Sequence, residues 1–102
     1  MEKIIYTSGF LEDLDRITDF LIEIDPTLSE ETAALIFEAT SILARHPWIG
    51  RPAEQGLREL LVSQGRNGYV VLYRFRKDLA QVRLLALRHQ RETGYADDDI
   101  SY

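Results

Sequence analysis

Cysteine is missing from the sequence altogether, which rules out disulfide staples and thiolate metal sites and fits a reducing cytosol. Lysine is scarce as well. Of 12 basic residues only Lys3 and Lys77 are lysines, so arginine carries the positive charge. No apolar run approaches the ~20 residues that would span a bilayer, and the chain does not open on a basic-then-apolar leader. The two histidines, His46 and His89, lie far apart and outside any metal-ligand spacing, so neither a metal nor a cofactor is expected. A Walker loop, a glycine-rich dinucleotide fingerprint and a nucleophile elbow are all absent. The expectation is a soluble, cytoplasmic protein with no membrane association.

At 102 residues the chain can build one core but not two, and 45% apolar with 28% charged residues is globular rather than disordered composition. The net charge of −5 is unevenly spread. Residues 1–50 hold 3 Lys/Arg against 10 Asp/Glu, residues 51–92 hold 9 against 4, and the last ten hold none against 3. An acidic first half, a basic second half and an acidic tail point to a basic partner-facing surface, or to basic strands that pair with acidic helices.

Apolar periodicity predicts the elements. Lys3–Tyr6 reads as a short strand, and Ser8 as the cap of the helix after it. Phe10, Leu11, Leu14, Ile17, Leu21 and Ile24 then recur at helical steps until Asp25-Pro26 stops them. A second helix is expected to start at Ser29-Glu30-Glu31, with Ala33, Ile36, Phe37, Thr40 and Leu43 inward and His46-Pro47 ending it. Pro47–Pro52 reads as a rigid turn-rich linker, within which Trp48 either caps the core or offers a stacking platform. Three strands follow: 57–63, 69–76 and 82–87. Asn67-Gly68 supplies the expected hairpin turn between the first two. Along the middle strand Tyr69, Val71, Tyr73 and Phe75 share one face, and Val70, Leu72, Arg74 and Arg76 the other. The predicted fold is α+β, in the order β-α-α-β-β-β. An antiparallel sheet of three to four strands is covered on one face by a helical hairpin, and the arginine-bearing face stays partly open. Residues 1–95 form a single domain and 96–102 an acidic tail.

Two groups of side chains could carry function. His89, Arg91 and Tyr95 combine an imidazole, a guanidinium and a phenol, the parts of a metal-independent ribonuclease and equally of a cationic binding patch. Arg58, Arg66, Arg74, Arg76, Arg83 and Arg88 form the second group, suited to gripping phosphate or carboxylate, or to pairing with the chain's own acids.

The short strand, the two helices and the segments HPWIGRP, LRELLV, GYVVLYRF and LLALRHQRE, in this order over residues 3–95, resemble the RelE/ParE superfamily of type II toxin–antitoxin toxins. The resemblance implies a small cytosolic toxin of a plasmid-stabilisation or growth-control system, neutralised by a cognate antitoxin. It allows a homodimer or a toxin–antitoxin hetero-oligomer. It also implies one of two targets: DNA gyrase for ParE-like members, or mRNA on the ribosome for RelE-like ones. Arg91 and Tyr95 match the last two positions of the RelE-like ribonuclease pattern. Glu59 and Leu61 stand where lysines are expected and Val70 where an arginine is expected. Together with the acidic balance, which opposes long-range attraction to RNA, this favours a ParE-like, non-enzymatic gyrase inhibitor. A ribosome-dependent endoribonuclease and a catalytically inactive binding module are the alternatives. In the ribonuclease reading alone, Arg91, His89 and Tyr95 are catalytic.

Overall fold

The computed structural model describes residues 1–91. Tyr95 and the expected acidic tail, 96–102, lie outside the described residues.

Strand β1 (Lys3–Tyr6) leads into helix α1 (Ser8–Ile24) and helix α2 (Pro26–Ser41). A single 3-10 turn, Ile42–Ala44, follows, then β2 (Arg51–Pro52), β3 (Arg58–Gln64), β4 (Asn67–Arg76) and β5 (Gln81–His89). The sheet has five strands in the order β1-β5-β4-β3-β2, with β1 parallel to β5 and the other neighbours antiparallel. The expected architecture is present with one more strand than expected. The addition is β2, two residues of the Pro47–Pro52 segment that reads as linker in the sequence but pairs with Arg58 and Glu59.

The caps differ from the sequence reading in an instructive way. Thr7, not Ser8, caps α1: its Oγ1 accepts from Phe10 N–H at 3.4 Å and donates to Leu84 C=O at 2.6 Å, so the helix start is tied to β5. Asp25 both ends α1 and caps α2, accepting from Thr27 N–H at 3.0 Å. Pro26 at the first helical position costs nothing, because its missing N–H would have been unpaired there anyway. The second helix therefore starts three residues before the expected Ser29. Ser29 lies inside the hairpin, where its hydroxyl donates to Thr18 C=O at 2.9 Å.

The β3–β4 hairpin forms as expected, but Gly65-Arg66 makes the turn, with Gln64 paired to Asn67. Gly65 takes the positive φ (58°), and Asn67-Gly68 belongs to β4. A Cβ at Gly68 would meet the end of the exposed Gln90 side chain, which can swing aside.

Alternation on β4 holds. Tyr69, Val71 and Tyr73 join Phe10, Leu14, Ile17, Ile36 and Leu43 in the main core beneath the helices. On β5, Leu72 faces Ala86 while Tyr73 faces Leu84, so Leu85 is the extra residue of a bulge. The bulge lets Leu84 and Leu87, three residues apart, both enter the helix-side core. Leu57, Leu72, Leu85 and Ala86 make a smaller cluster on the other side. Not every expected inward position is buried, since Leu11, Ile24 and Phe37 are exposed flanks of their helices. Among the described residues, no helix is long and apolar enough to cross a membrane.

Candidate functional site: a cleft at the end of the sheet and an arginine face behind it

The five-stranded sheet separates the side chains that the sequence had grouped together. His89 pairs with Tyr69 across the strands and shares its helix-facing side, whereas Arg74, Arg83 and Arg88 project from the opposite face. Two sites result.

The first is a cleft of about 720 Å³ where α1 leans over the ends of β4 and β5. Arg16, Ile17, Phe20 and Leu21 come from the helix; Asn67, Tyr69 and His89 come from the strands, and Arg91 follows β5 at the rim. His89 meets Tyr69 edge to face, with ring centroids 5.4 Å apart. Burial raises the Tyr69 phenol above its usual range, partly offset by a hydrogen bond with Thr32. His89 Nδ1 accepts the backbone N–H of Arg91 at 3.1 Å. In the neutral imidazole this bond leaves the ring proton on Nε2, which is then a donor. The cleft thus offers two guanidinium groups and an imidazole N–H above an apolar floor, an arrangement that receives acceptor groups rather than abstracting protons. Arg16, Phe20 and Asn67 were missed by the sequence reading. Arg16 and Phe20 sit one helical turn apart on a flank of α1, and nothing local distinguishes that flank from ordinary surface.

The second site is the sheet face away from the helices. Its cross-strand rows run Arg74–Arg83, Glu59–Leu72–Ala86 and Leu61–Val70–Arg88. Arg74, Arg76 and Arg83 line a shallow depression of about 290 Å³ with Leu79. Arg76 makes a two-pronged contact with Asp78, at 3.1 and 2.9 Å, and the pairing lowers the Asp78 carboxyl and raises the guanidinium. Glu59, where a cationic residue would mark a ribonuclease, accepts from Arg51 at 3.0 Å and lies 3.8 Å from Arg88. Val70 is 1% exposed and offers no polar group at all.

Arg58 belongs to neither site. It lies 4.9 Å over the Trp48 ring and donates to Trp48 C=O at 3.1 Å and Gly50 C=O at 2.7 Å. Trp48 in turn packs edge-on against Phe75, so the two lock the Pro47–Gly50 turn to the sheet edge. Arg66 is exposed in the β3–β4 turn, remote in register from Arg74 and Arg83 at the other end of the strands.

The family model described as the ParE toxin of the type II toxin–antitoxin system parDE matches residues 4–94. Among curated proteins the chain is similar to Toxin RelE3 of Caulobacter vibrioides, 35% identical over 80 residues, which is 78% of this chain and 85% of that one. Among solved structures it is similar to a chain of the chromosomal ParDE system from P. aeruginosa, with a TM-score of 0.68 and 23% identity, covering 85% of this chain and 94% of that one. It is also similar to a chain of the toxin–antitoxin complex RelBE2 from Mycobacterium tuberculosis, with a TM-score of 0.57 and 22% identity, covering 87% and 98%. The match runs from the first strand to beyond the last, and the protein belongs to the ParE toxin family of type II toxin–antitoxin systems.

Proposed function

We propose that this toxin acts by binding DNA gyrase, not by cleaving RNA, and that a cognate antitoxin neutralises it. The observation that carries the reading is the chemistry of the cleft and of the sheet face behind it. His89 commits its lone-pair nitrogen to the Arg91 N–H, and the positions that would supply cationic catalytic groups hold Glu59, Leu61 and Val70. Glu59 further neutralises Arg51 and Arg88. A general base and unpaired cations are what cleavage of a phosphodiester would require. Arg16 and Arg91 over an apolar floor, by contrast, suit recognition of a protein surface with exposed acceptors. In this reading residues 1–95 act as one toxin domain, and Arg16, Arg91 and His89 are contact residues.

Two apolar surfaces support an antitoxin partner. The cleft at Phe20 and Leu21 is one. A groove of about 420 Å³ between α2 and β3, floored by Leu35, Ala39, Ile42, Leu60 and Leu61, is the other. Both suit an amphipathic segment.

Purified toxin should block supercoiling by gyrase, with Arg91→Ala weakening the block at least several-fold, and should leave translated mRNA intact. Codon-phased cuts in translated messages, abolished by Arg91→Ala or His89→Ala, would overturn the reading. The second reading, a ribosome-dependent ribonuclease, draws on the 35% identical relative named RelE3 and on His89 and Arg91 sharing one cleft.

A further inference from the structure

A chain of hydrogen bonds runs beneath the cleft. Thr32 is fully buried on α2, one turn before Ile36 on the same inward stripe, where an apolar residue is the ordinary choice. A hydroxyl buried there costs stability unless it is bonded. Thr40, two turns on, returns its hydroxyl to its own helix at Phe37 C=O. Thr32 reaches two strands instead. Its Oγ1 donates to Gln64 Oε1 at 3.1 Å, and it also shares a hydrogen bond with the Tyr69 phenol. A hydroxyl has one proton, so with Gln64 receiving it the Thr32 oxygen accepts from Tyr69 O–H. The order is therefore Tyr69 to Thr32 to Gln64, from β4 through α2 to the end of β3.

Tyr69 carries this chain into the cleft wall. Its ring meets His89 edge to face, and His89 Nδ1 in turn accepts Arg91 N–H at 3.1 Å. Edge-to-face contact is directional, so a ring that slides or tips takes its neighbour with it. We propose that Thr32 is a positioning residue of the cleft. By anchoring the Tyr69 hydroxyl it holds the Tyr69 ring, and through that ring it holds the His89 imidazole and the Arg91 amide bonded to it. Thr32 has no exposed surface and touches no partner itself. Its effect on binding rests on the cleft being the contact surface.

NMR on the purified full chain, without gyrase or antitoxin, tests the positioning. Thr32→Val keeps the shape and removes the hydroxyl, Thr32→Ser keeps the hydroxyl, and Tyr69→Phe removes the donor. Thr32→Val should shift the His89 ring resonances, and it and Tyr69→Phe should each speed exchange of the Arg91 amide several-fold. Thr32→Ser should restore both signals. The Thr32→Val/Tyr69→Phe double variant should speed that exchange no more than either single one, because both act through one bond. Tyr69→Phe carries the same test if Thr32→Val does not fold. Ser29→Ala removes another buried hydroxyl of α2, one that donates to Thr18 C=O, and is the control for lost stability alone. It should leave His89 and Arg91 unmoved. Signals unmoved by Thr32→Val and Tyr69→Phe, moved equally by Ser29→Ala, or not restored by Thr32→Ser would overturn the proposal. A supercoiling assay tests the target separately. There Thr32→Val should weaken the block several-fold and Thr32→Ser should not. Displaced His89 signals with an undiminished block would overturn the gyrase reading of the cleft while upholding the positioning.

Discussion

Tyr73 is fully buried beneath the Pro47–Gly50 turn, where its hydroxyl donates to Pro47 C=O and accepts from Gly50 N–H, each at 2.8 Å. Tyr73→Phe leaves both backbone groups without that partner and should lower unfolding free energy by about 1–3 kcal/mol in urea denaturation. Gly50→Ala should be at least as damaging, because its Cβ would lie 2.6 Å from the Tyr73 ring and 2.8 Å from Glu59 C=O. Burial raises the Tyr73 phenol, an effect partly opposed by Gly50 and Arg58. A raised folded value means stability that is complete below the unfolded value of about 10 and is lost as pH climbs through the folded one. The Tyr73→Phe variant should accordingly show a flatter alkaline loss. At the surface the sign reverses. Asp78 is held low by Arg76, so its small contribution is present above the ordinary carboxylate range and fades on acidification. Arg76→Gln should return the Asp78 carboxyl toward its usual value, as read by NMR titration. Sequence alternation identified the face that Tyr73 occupies. It could not identify the hydroxyl's partners, which lie 23 and 26 residues away in a turn with no regular period.

The elements were largely legible because their apolar periods are long and clean, and their ends were not because the caps answer to tertiary contacts. Thr7 wins over Ser8 because its hydroxyl also reaches Leu84 C=O on β5. Asp25 precludes a loop between the helices by serving both. The strand β2 is two residues long, too short for any alternation to register, and exists only because β3 offers an edge. Asp13 illustrates the same coupling. On α1 it reads as a flanking charge, yet its Oδ2 accepts Leu87 N–H at 2.9 Å, beyond the point where β1 ceases to pair with β5. Asp13→Ala should leave that strand-edge amide unpaired. The expected result is about 1–3 kcal/mol lower stability and faster hydrogen exchange at Leu87 than at Leu84.

At the scale of the molecule, the sheet decides what the charged residues can do together. His89 and Arg91 are two residues apart and share a cleft, but Arg88 and the β4 arginines stand behind the sheet. No linear pattern could reveal that Arg16 from α1 completes the cleft, since 73 positions separate it from His89. Charge asymmetry along the sequence did foreshadow a basic face, and Glu59 and Asp78 show how the chain tempers it. The cleft of Arg16, His89 and Arg91 is proposed to bind gyrase and not to cut RNA. Its most direct test is to induce the toxin alone in a bacterial host and pulse-label DNA and protein synthesis over the following minutes. DNA synthesis should fall first, and Arg91→Ala should delay the fall. Protein synthesis falling first, with DNA synthesis following later, would contradict it.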